Sequence, residues 1–417
     1  MDLSILFSSL LLSCVLFASS TDAKYNAVFS FGDSFADTGN FVILESQLLP
    51  VIPIDLPPYG MTFFGHPTGE SLGLPFLPPS LSHNESFSKG ANFAVVGATA
   101  LDLAFFQENN ITGIPPIDSS LSVQLGWFDA LKPSLCKTTR KCKNYMKKSL
   151  FFVGEFGGND YNFLLTSGKT LDQVIETYVP KVTDVVYKAV EKLIGEGAAT
   201  VVVPGNVPTG CIPAILTLFA SPNKTDYDPQ TGCLKKFNEL GKHHNLLLLK
   251  AVEQLRKKYP YARIIYADYY APVIEFASKP TQFGFSNGAI KACCGGGGPY
   301  NYNVSAVCGL PGVSACKDPS TYANWDGIHL TEASYSRIAT GWLKGPYAHP
   351  PIQNLSHIPY IEHKCYYEHL RGGGVLIGFD HDYCEGCWSA AGGFVTSCLC
   401  GCGRLVERLE SWSSSTG

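Results

Sequence analysis

The sequence predicts an α/β domain built on a parallel sheet covered by helices on both faces. Two observations carry this. Apolar runs of β-formers, at 27–31, 149–157, 199–208 and 262–270, alternate with longer segments of helical periodicity. Strand, helix, strand, helix in that order marks βαβ units, whose strands are buried on both sides and read as continuous apolar runs.

Each element has its own warrant. Between 171 and 197, Val174, Val182, Val185, Val186, Ala189 and Leu193 recur at helical spacing, and Gly195 and Gly197 stop the run. A second helix is expected over 233–260, closed by Pro260. His243 and His244 within it are expected on its solvated face. The basic stretch 137–148 reads as a solvated loop or helix face, not a phosphate-binding stripe.

The chain has 417 residues, 45% hydrophobic and 16% charged, with a net charge of -4. That is enough for one large domain or two ordinary ones, and the charge gives no reason to expect a nucleic-acid partner. Residues 1–23 read as a secretory signal peptide. An apolar run is followed by small residues suited to cleavage, at Ala18-Ser19-Ser20 or Thr21-Asp22-Ala23, although no basic residue precedes it. No other stretch is long enough to span a bilayer. N-x-S/T sequons at Asn84, Asn110, Asn223, Asn303 and Asn354 agree with export.

So does cysteine usage. Of 15 cysteines, Cys14 lies in the leader, eight lie between 136 and 316, and six follow residue 350. Eight is even and fits disulfides in an oxidising compartment. Cys136–Cys142 and Cys308–Cys316 are the short loops that suggest themselves, although spacing alone does not fix the pairing.

Polar residues at strand ends are where chemistry is sought in such folds. "FSFGDSFADTGN" (29–40) places Asp33-Ser34 directly after a strand-like run. A serine there is suited to nucleophilic attack if a base, an orienting acid and oxyanion donors exist elsewhere. "NWDGIHLTEASYSRIA" (324–339) supplies Asp326 and His329, three apart, before a helix capped by Thr331. The imidazole can take a proton while the carboxylate fixes its tautomer. Gly158-Asn159-Asp160 follows a strand, so the Asn159 amide can serve an oxyanion or simply form an Asx turn. "SKGANFAVVGATA" (88–100) offers Gly90 and Gly97 for a close backbone approach or for tight packing. No G-x-S-x-G, phosphate loop or metal-ligand spacing occurs in 25–350, and no cofactor is expected; "CCGGGG" reads as a flexible loop beside a disulfide.

Together with "NVPTGCIP" (206–213) and "ACCGGGGPYNYN" (292–303), these blocks make residues 25–350 resemble the plant GDSL esterase/lipase family, a branch of the SGNH hydrolases. The resemblance implies a flavodoxin-like three-layer α/β/α domain. It implies Ser34 as nucleophile, His329 as base and Asp326 as its orienter. The oxyanion donors would be the N–H groups of Ser34 and Gly97 and the side chain of Asn159; Gly97 is preferred over Gly90 because it ends an N-x-A-x-x-G pattern. The implied activity is carboxylic-ester hydrolysis of a small-molecule ester, and the body is most similar to phenolic-choline or alkaloid-ester esterases. Acyl transfer is the related alternative.

Two departures qualify the resemblance. After Pro67-Thr68-Gly69 the family's R-x-S-D-G-R and the following amphipathic helix are missing, and the chain passes straight to "ESLGLPFLPPS" (70–80). A helix with about five buried apolar side chains, at roughly 1.5–3 kcal/mol each, is comparable to the stability of a whole domain. The chain is therefore expected to fold poorly, as a catalytically impaired splice or gene-model variant, or to fill the gap partly with "ESLGLPFL". Residues 351–417 match nothing in the family. Cys384-x-x-Cys387 and Cys398-x-Cys400-x-Cys402, with His363, His369 and His381, admit a zinc-binding appendage or an unstructured tail with oxidised thiols. Irregular spacing and a secretory route favour the second.

Overall fold

A computed structural model of the chain describes residues 25–46, 53–61, 72, 75–114 and 117–353, and the backbone of two strands beyond them. It divides into two compact units, Met1–Leu355 and Ser356–Gly417. In the second, Tyr366–His369 pairs antiparallel with Val375–Gly378. The leader, Asn354 and the proposed zinc ligands lie outside the described residues, apart from the backbone of His369.

The first unit is organised by one sheet. Its strands are β1 (Val28–Phe31), β2 (Gly90–Asn92), β3 (Leu150–Val153), β4 (Thr200–Pro204), β5 (Arg263–Ala267) and β8 (Ala348–His349), in the order β2-β1-β3-β4-β5-β8. The first five are parallel, and β8 closes one edge antiparallel to β5. The order 2-1-3-4-5 is the flavodoxin-like arrangement, with the strand order, not the strand direction, reversing between β1 and β3.

Strand alternation sends successive residues to two different cores. Phe29, Phe31, Phe151, Val153, Val201, Val203 and Ile264 enter one, under the helices α1 (Leu121–Leu135), α3 (Val179–Gly195) and α4 (Lys235–Lys258). Val28, Leu150, Phe152, Val202, Ile265 and Ala267 enter the other, under α5 (Glu332–Lys344) with Ile338, Trp342 and Leu343. A sheet buried on both faces accounts for the unbroken apolar runs. The body continues past residue 350: Ile352 is fully buried, and Arg263 donates to its carbonyl at 3.0 Å.

Four sequence expectations need correction. The sequence shows β2 only as a glycine-bearing loop. It has three residues and no branched side chain, so it lacks a strand signature. Gly90 is required there, because a Cβ would lie 1.7 Å from the Val28 carbonyl oxygen. His244 is not on a solvated face. It is buried and hydrogen-bonded to the Tyr161 hydroxyl at 2.6 Å. Burial pushes its imidazole down to about 3, so it is neutral. The pairing Cys308–Cys316 does not form. The bonds are Cys136–Cys142, Cys211–Cys233, Cys293–Cys316 and Cys294–Cys308. The two vicinal cysteines each take one of the later partners. The glycine-rich segment after them is also less free than expected, since β6 (Cys294–Gly295) pairs with β7 (Ser314–Ala315).

Among the described residues between 53 and 89 there is no α-helix. Leu72 is buried and Leu77 half-buried against the second core. Beside them stays a partly open cavity of about 510 Å³, walled by Val28, Phe152, Ile338 and Trp342 among others. Leu72 and Leu77 both line this cavity.

The opposite face is tied together through Asp160, fully buried at the start of α2 (Gly158–Thr166). Its two carboxylate oxygens accept the N–H groups of Ala100 and Leu101, each at 2.9 Å. Asp160→Ala leaves both donors without an acceptor at roughly 1–3 kcal/mol each, so urea unfolding should show a loss of about 2–5 kcal/mol. An unchanged midpoint would show that water replaces the carboxylate.

Candidate active site

The end of β1 is fixed by a residue that sequence reasoning passed over. Gln124 on α1 is fully buried, and its Oε1 accepts the Gly32 N–H at 3.0 Å while its Nε2 donates to the Gly32 carbonyl at 2.8 Å. A side-chain amide here takes the place of a neighbouring strand. Its only sequence signal is an amide flanked by Val123 and Leu125 in the mostly apolar run "LSVQLGWF".

The chain then turns. The Asp33 carbonyl accepts the N–H groups of Ala36 and Asp37, at 3.1 and 3.0 Å. Asp37 ties down the next stretch of backbone, accepting from Gly39 and Asn40 on Oδ1 and from Phe41 and Val96 on Oδ2. Ser34 stands half-buried on this turn.

Asp326 and His329 arrive on the loop before α5. Asn324 Oδ1 accepts the Gly327 N–H at 2.7 Å, and Gly327 takes φ +99° with the Tyr302 ring where a Cβ would lie. Only glycine fits both demands. The turn is closed by Trp325 N–H donating to the His329 carbonyl at 2.8 Å, and Thr331 caps the helix as expected. Asp326 Oδ1 accepts the N–H groups of Ile328 and His329, at 2.9 and 2.8 Å. Its Oδ2 lies 2.7 Å from His329 Nδ1. His329 Nε2 lies 2.7 Å from Ser34 Oγ. A carboxylate only accepts, so Nδ1 carries the proton and Nε2 is left to receive one.

The electrostatics follow from burial and these bonds. Burial raises the Asp326 carboxyl, but the His329 charge and the hydrogen bonds outweigh it and hold it down at about 2. Burial lowers the His329 imidazole, but Asp326 and, further off, Asp33 reverse this and hold it above its ordinary value.

Asn159 joins the same place. Its Nδ2 donates to Asp33 Oδ2 and to the Ala98 carbonyl, both at 3.0 Å. The amide thereby links the Ser34 turn to the Gly97-Ala98 segment. Gly97 is half-buried at φ +79°, between Val96, whose N–H goes to Asp37, and Ala98, whose N–H goes to the Val95 carbonyl. Gly90 is in β2 instead. Behind Asp33 sits Glu155, another residue not foreseen. It is buried and hydrogen-bonded to Asp33. Burial, and then the Asp33 charge, push the Glu155 carboxyl well above the carboxylate range, so it is a neutral acid and Asp33 the anion. Among the described residues no cluster of His, Cys, Asp and Glu is arranged to hold a metal ion.

The family model for GDSL-like Lipase/Acylhydrolase matches residues 28–342. A GDSL esterase/lipase of Arabidopsis thaliana is 46% identical over 346 residues, covering 78% of this chain and 92% of the relative. A second from the same plant is 45% identical over 363 residues, covering 83% and 91%. The sinapine esterase of Brassica napus is 45% identical over 342 residues, covering 78% and 87%. The chain belongs to the GDSL-like lipase/acylhydrolase family, whose members hydrolyse ester bonds.

Proposed function

We propose that the chain is a secreted serine carboxylic-ester hydrolase that works through an acyl-serine intermediate on a small-molecule ester. The observation that carries the mechanism is the continuous chain Ser34–His329–Asp326, with both links at 2.7 Å. His329 Nε2 takes the Ser34 proton as Oγ attacks the ester carbonyl carbon. The imidazolium so formed is stabilised by Asp326. The tetrahedral oxyanion is met by the N–H groups of Ser34 and Gly97 and by Asn159. In the resting geometry Asn159 commits both amide hydrogens, so it serves the oxyanion by sharing the one now given to Ala98 or to Asp33. His329 then protonates the leaving alkoxide and the acyl group stays on Ser34. Water, deprotonated by the same imidazole, releases the acid and restores the serine.

Export is supported by the four disulfides and by the sequons. Asn84, Asn110, Asn223 and Asn303 are all exposed. Among the described residues no helix is long and apolar enough to cross a membrane. The similarity to sinapine esterase makes phenolic choline esters the first substrates to try.

Three outcomes test this reading. Ser34→Ala should lower hydrolysis of p-nitrophenyl acetate and butyrate by about 10⁴-fold or more while the protein stays folded. Equal rates in mutant and wild type would sink it. Asn159→Ala should cost about 10²–10³ in kcat if the amide meets the oxyanion. A loss confined to KM would move Asn159 out of that role.

The raised His329 pKa fixes the sign of the pH dependence. Activity needs the neutral imidazole, so the acid limb of kcat/KM should lie above the ordinary histidine value of about 6.5. The contribution of His329 to folding runs the other way. It is complete below about 6.5 and is lost as pH rises through the higher folded value. In Asp326→Asn the largest raising charge is gone and burial is opposed only by Asp33, so the limb should move to lower pH while kcat falls about 10⁴-fold.

A further inference from the structure

Asp326 has a fourth donor that the mechanism above does not use. The Tyr59 hydroxyl donates to Oδ2 at 2.9 Å, across 267 residues of sequence. The oxygen that faces His329 Nδ1 is therefore shared between the imidazole and a phenol. The tyrosine is built into place. Its ring meets the Trp325 ring edge-on at 6.1 Å and belongs to a small core with Cys293, Cys294 and Cys308. Two disulfides hold that core. Burial, and then the nearby Asp326 charge, push the phenol far above its ordinary value, so it stays a donor at every working pH.

We infer that Tyr59 is a positioning residue for the catalytic acid: its hydroxyl fixes the rotation of the Asp326 carboxylate and draws negative charge away from the oxygen that holds His329. The inference rests on the Ser34–His329–Asp326 reading and deepens it. With all four bonds made, the carboxylate has no freedom to turn. Two backbone N–H groups hold Oδ1, and the imidazole and the phenol hold Oδ2. A phenol on Oδ2 also weakens the pull of that oxygen on the imidazolium, so it tempers the basicity of His329. The other titratable groups that face the pair are Asp33 from the β1 turn, Tyr302 from the loop after β6, and Tyr335 from α5. Burial raises both of these tyrosines, so neither changes charge across the working range.

The test is Tyr59→Phe, which keeps the ring and removes the bond. With p-nitrophenyl butyrate, kcat should fall roughly 10- to 150-fold, as for loss of one hydrogen bond to a charged group, with KM unchanged. Oδ2 regains its charge and holds the imidazolium more tightly. The acid limb of kcat/KM should therefore move to higher pH, a shift that lost packing would not produce. In an Asp326→Asn background the Tyr59→Phe effect should largely vanish, because the two residues act as a unit. This comparison also covers the case in which Tyr59→Phe lowers Tm. Wild-type kcat and an unmoved limb in Tyr59→Phe, with activity still lost in Ser34→Ala, overturn the inference alone. So does a rise confined to KM, which would place Tyr59 against the substrate, or an effect that persists in full beside Asp326→Asn. Wild-type rates in Ser34→Ala overturn the mechanism and this inference with it.

Discussion

Burial of the parallel sheet on both faces is the constraint that decides where everything else can go. No strand of the five-strand parallel core can hold a charged side chain in its middle without a large desolvation cost. The chemistry is therefore displaced to the carboxyl ends. It gathers beside β1 and β3, because these neighbours send their connections to opposite sides and leave a crevice between them. Asp33 and Ser34 follow β1, and Asn159 follows β3. Asp326 and His329 then need only one loop, placed by the packing of α5 on the second core.

A site made this way puts polar groups in a dry place, and among the described residues the structure meets nearly all of them with a partner, Thr38 Oγ1 and Asn206 Oδ1 excepted. Gln124 satisfies Gly32, where the sheet ladder stops. Asn40, also fully buried, donates to the carbonyls of Asn92 and Ala94 and accepts the Leu81 N–H. The edge strand β2 is thereby covered. Glu155 meets Asp33 by keeping its own proton, which avoids two adjacent buried anions. These amides and acids make a rigid frame for Ser34, whose neighbours on both sides are held by backbone bonds.

What was legible in the sequence is what repeats or what is chemically costly. Strands β1, β3, β4 and β5 were readable because full burial demands apolar runs. The two long helices were readable from their periodicity, although the one expected from 171 opens with a wide turn over Val174–Tyr178 before Pro180, which has no N–H to donate. Ser34 stands out by its place after an apolar run, and Asp326 with His329 by their spacing before a capped helix; their roles, and that of Asn159, came from the family resemblance. The rest depended on tertiary contact. β2 is too short to carry a pattern, and its glycine is explained only by the Val28 carbonyl beside it. Cys293 and Cys294 are adjacent, so spacing could not decide which took Cys308. His244 sits one residue from the half-buried His243, and helical phase alone left its face open. Glu155 and Tyr59 act on residues far away in sequence, and nothing local announces them.

The 2.7 Å contact between Ser34 and His329 spans 295 residues. Its consequence is a matter of timing. Chains are made from the N-terminus at about 5–20 residues per second, so roughly 15–60 s separate the synthesis of the serine from that of its base. Through that interval the hydroxyl has no group to take its proton. On the mechanism proposed above, the growing chain is chemically silent beside every ester it meets. It becomes competent only when the last helix of the first unit has docked, so activity reports a finished fold.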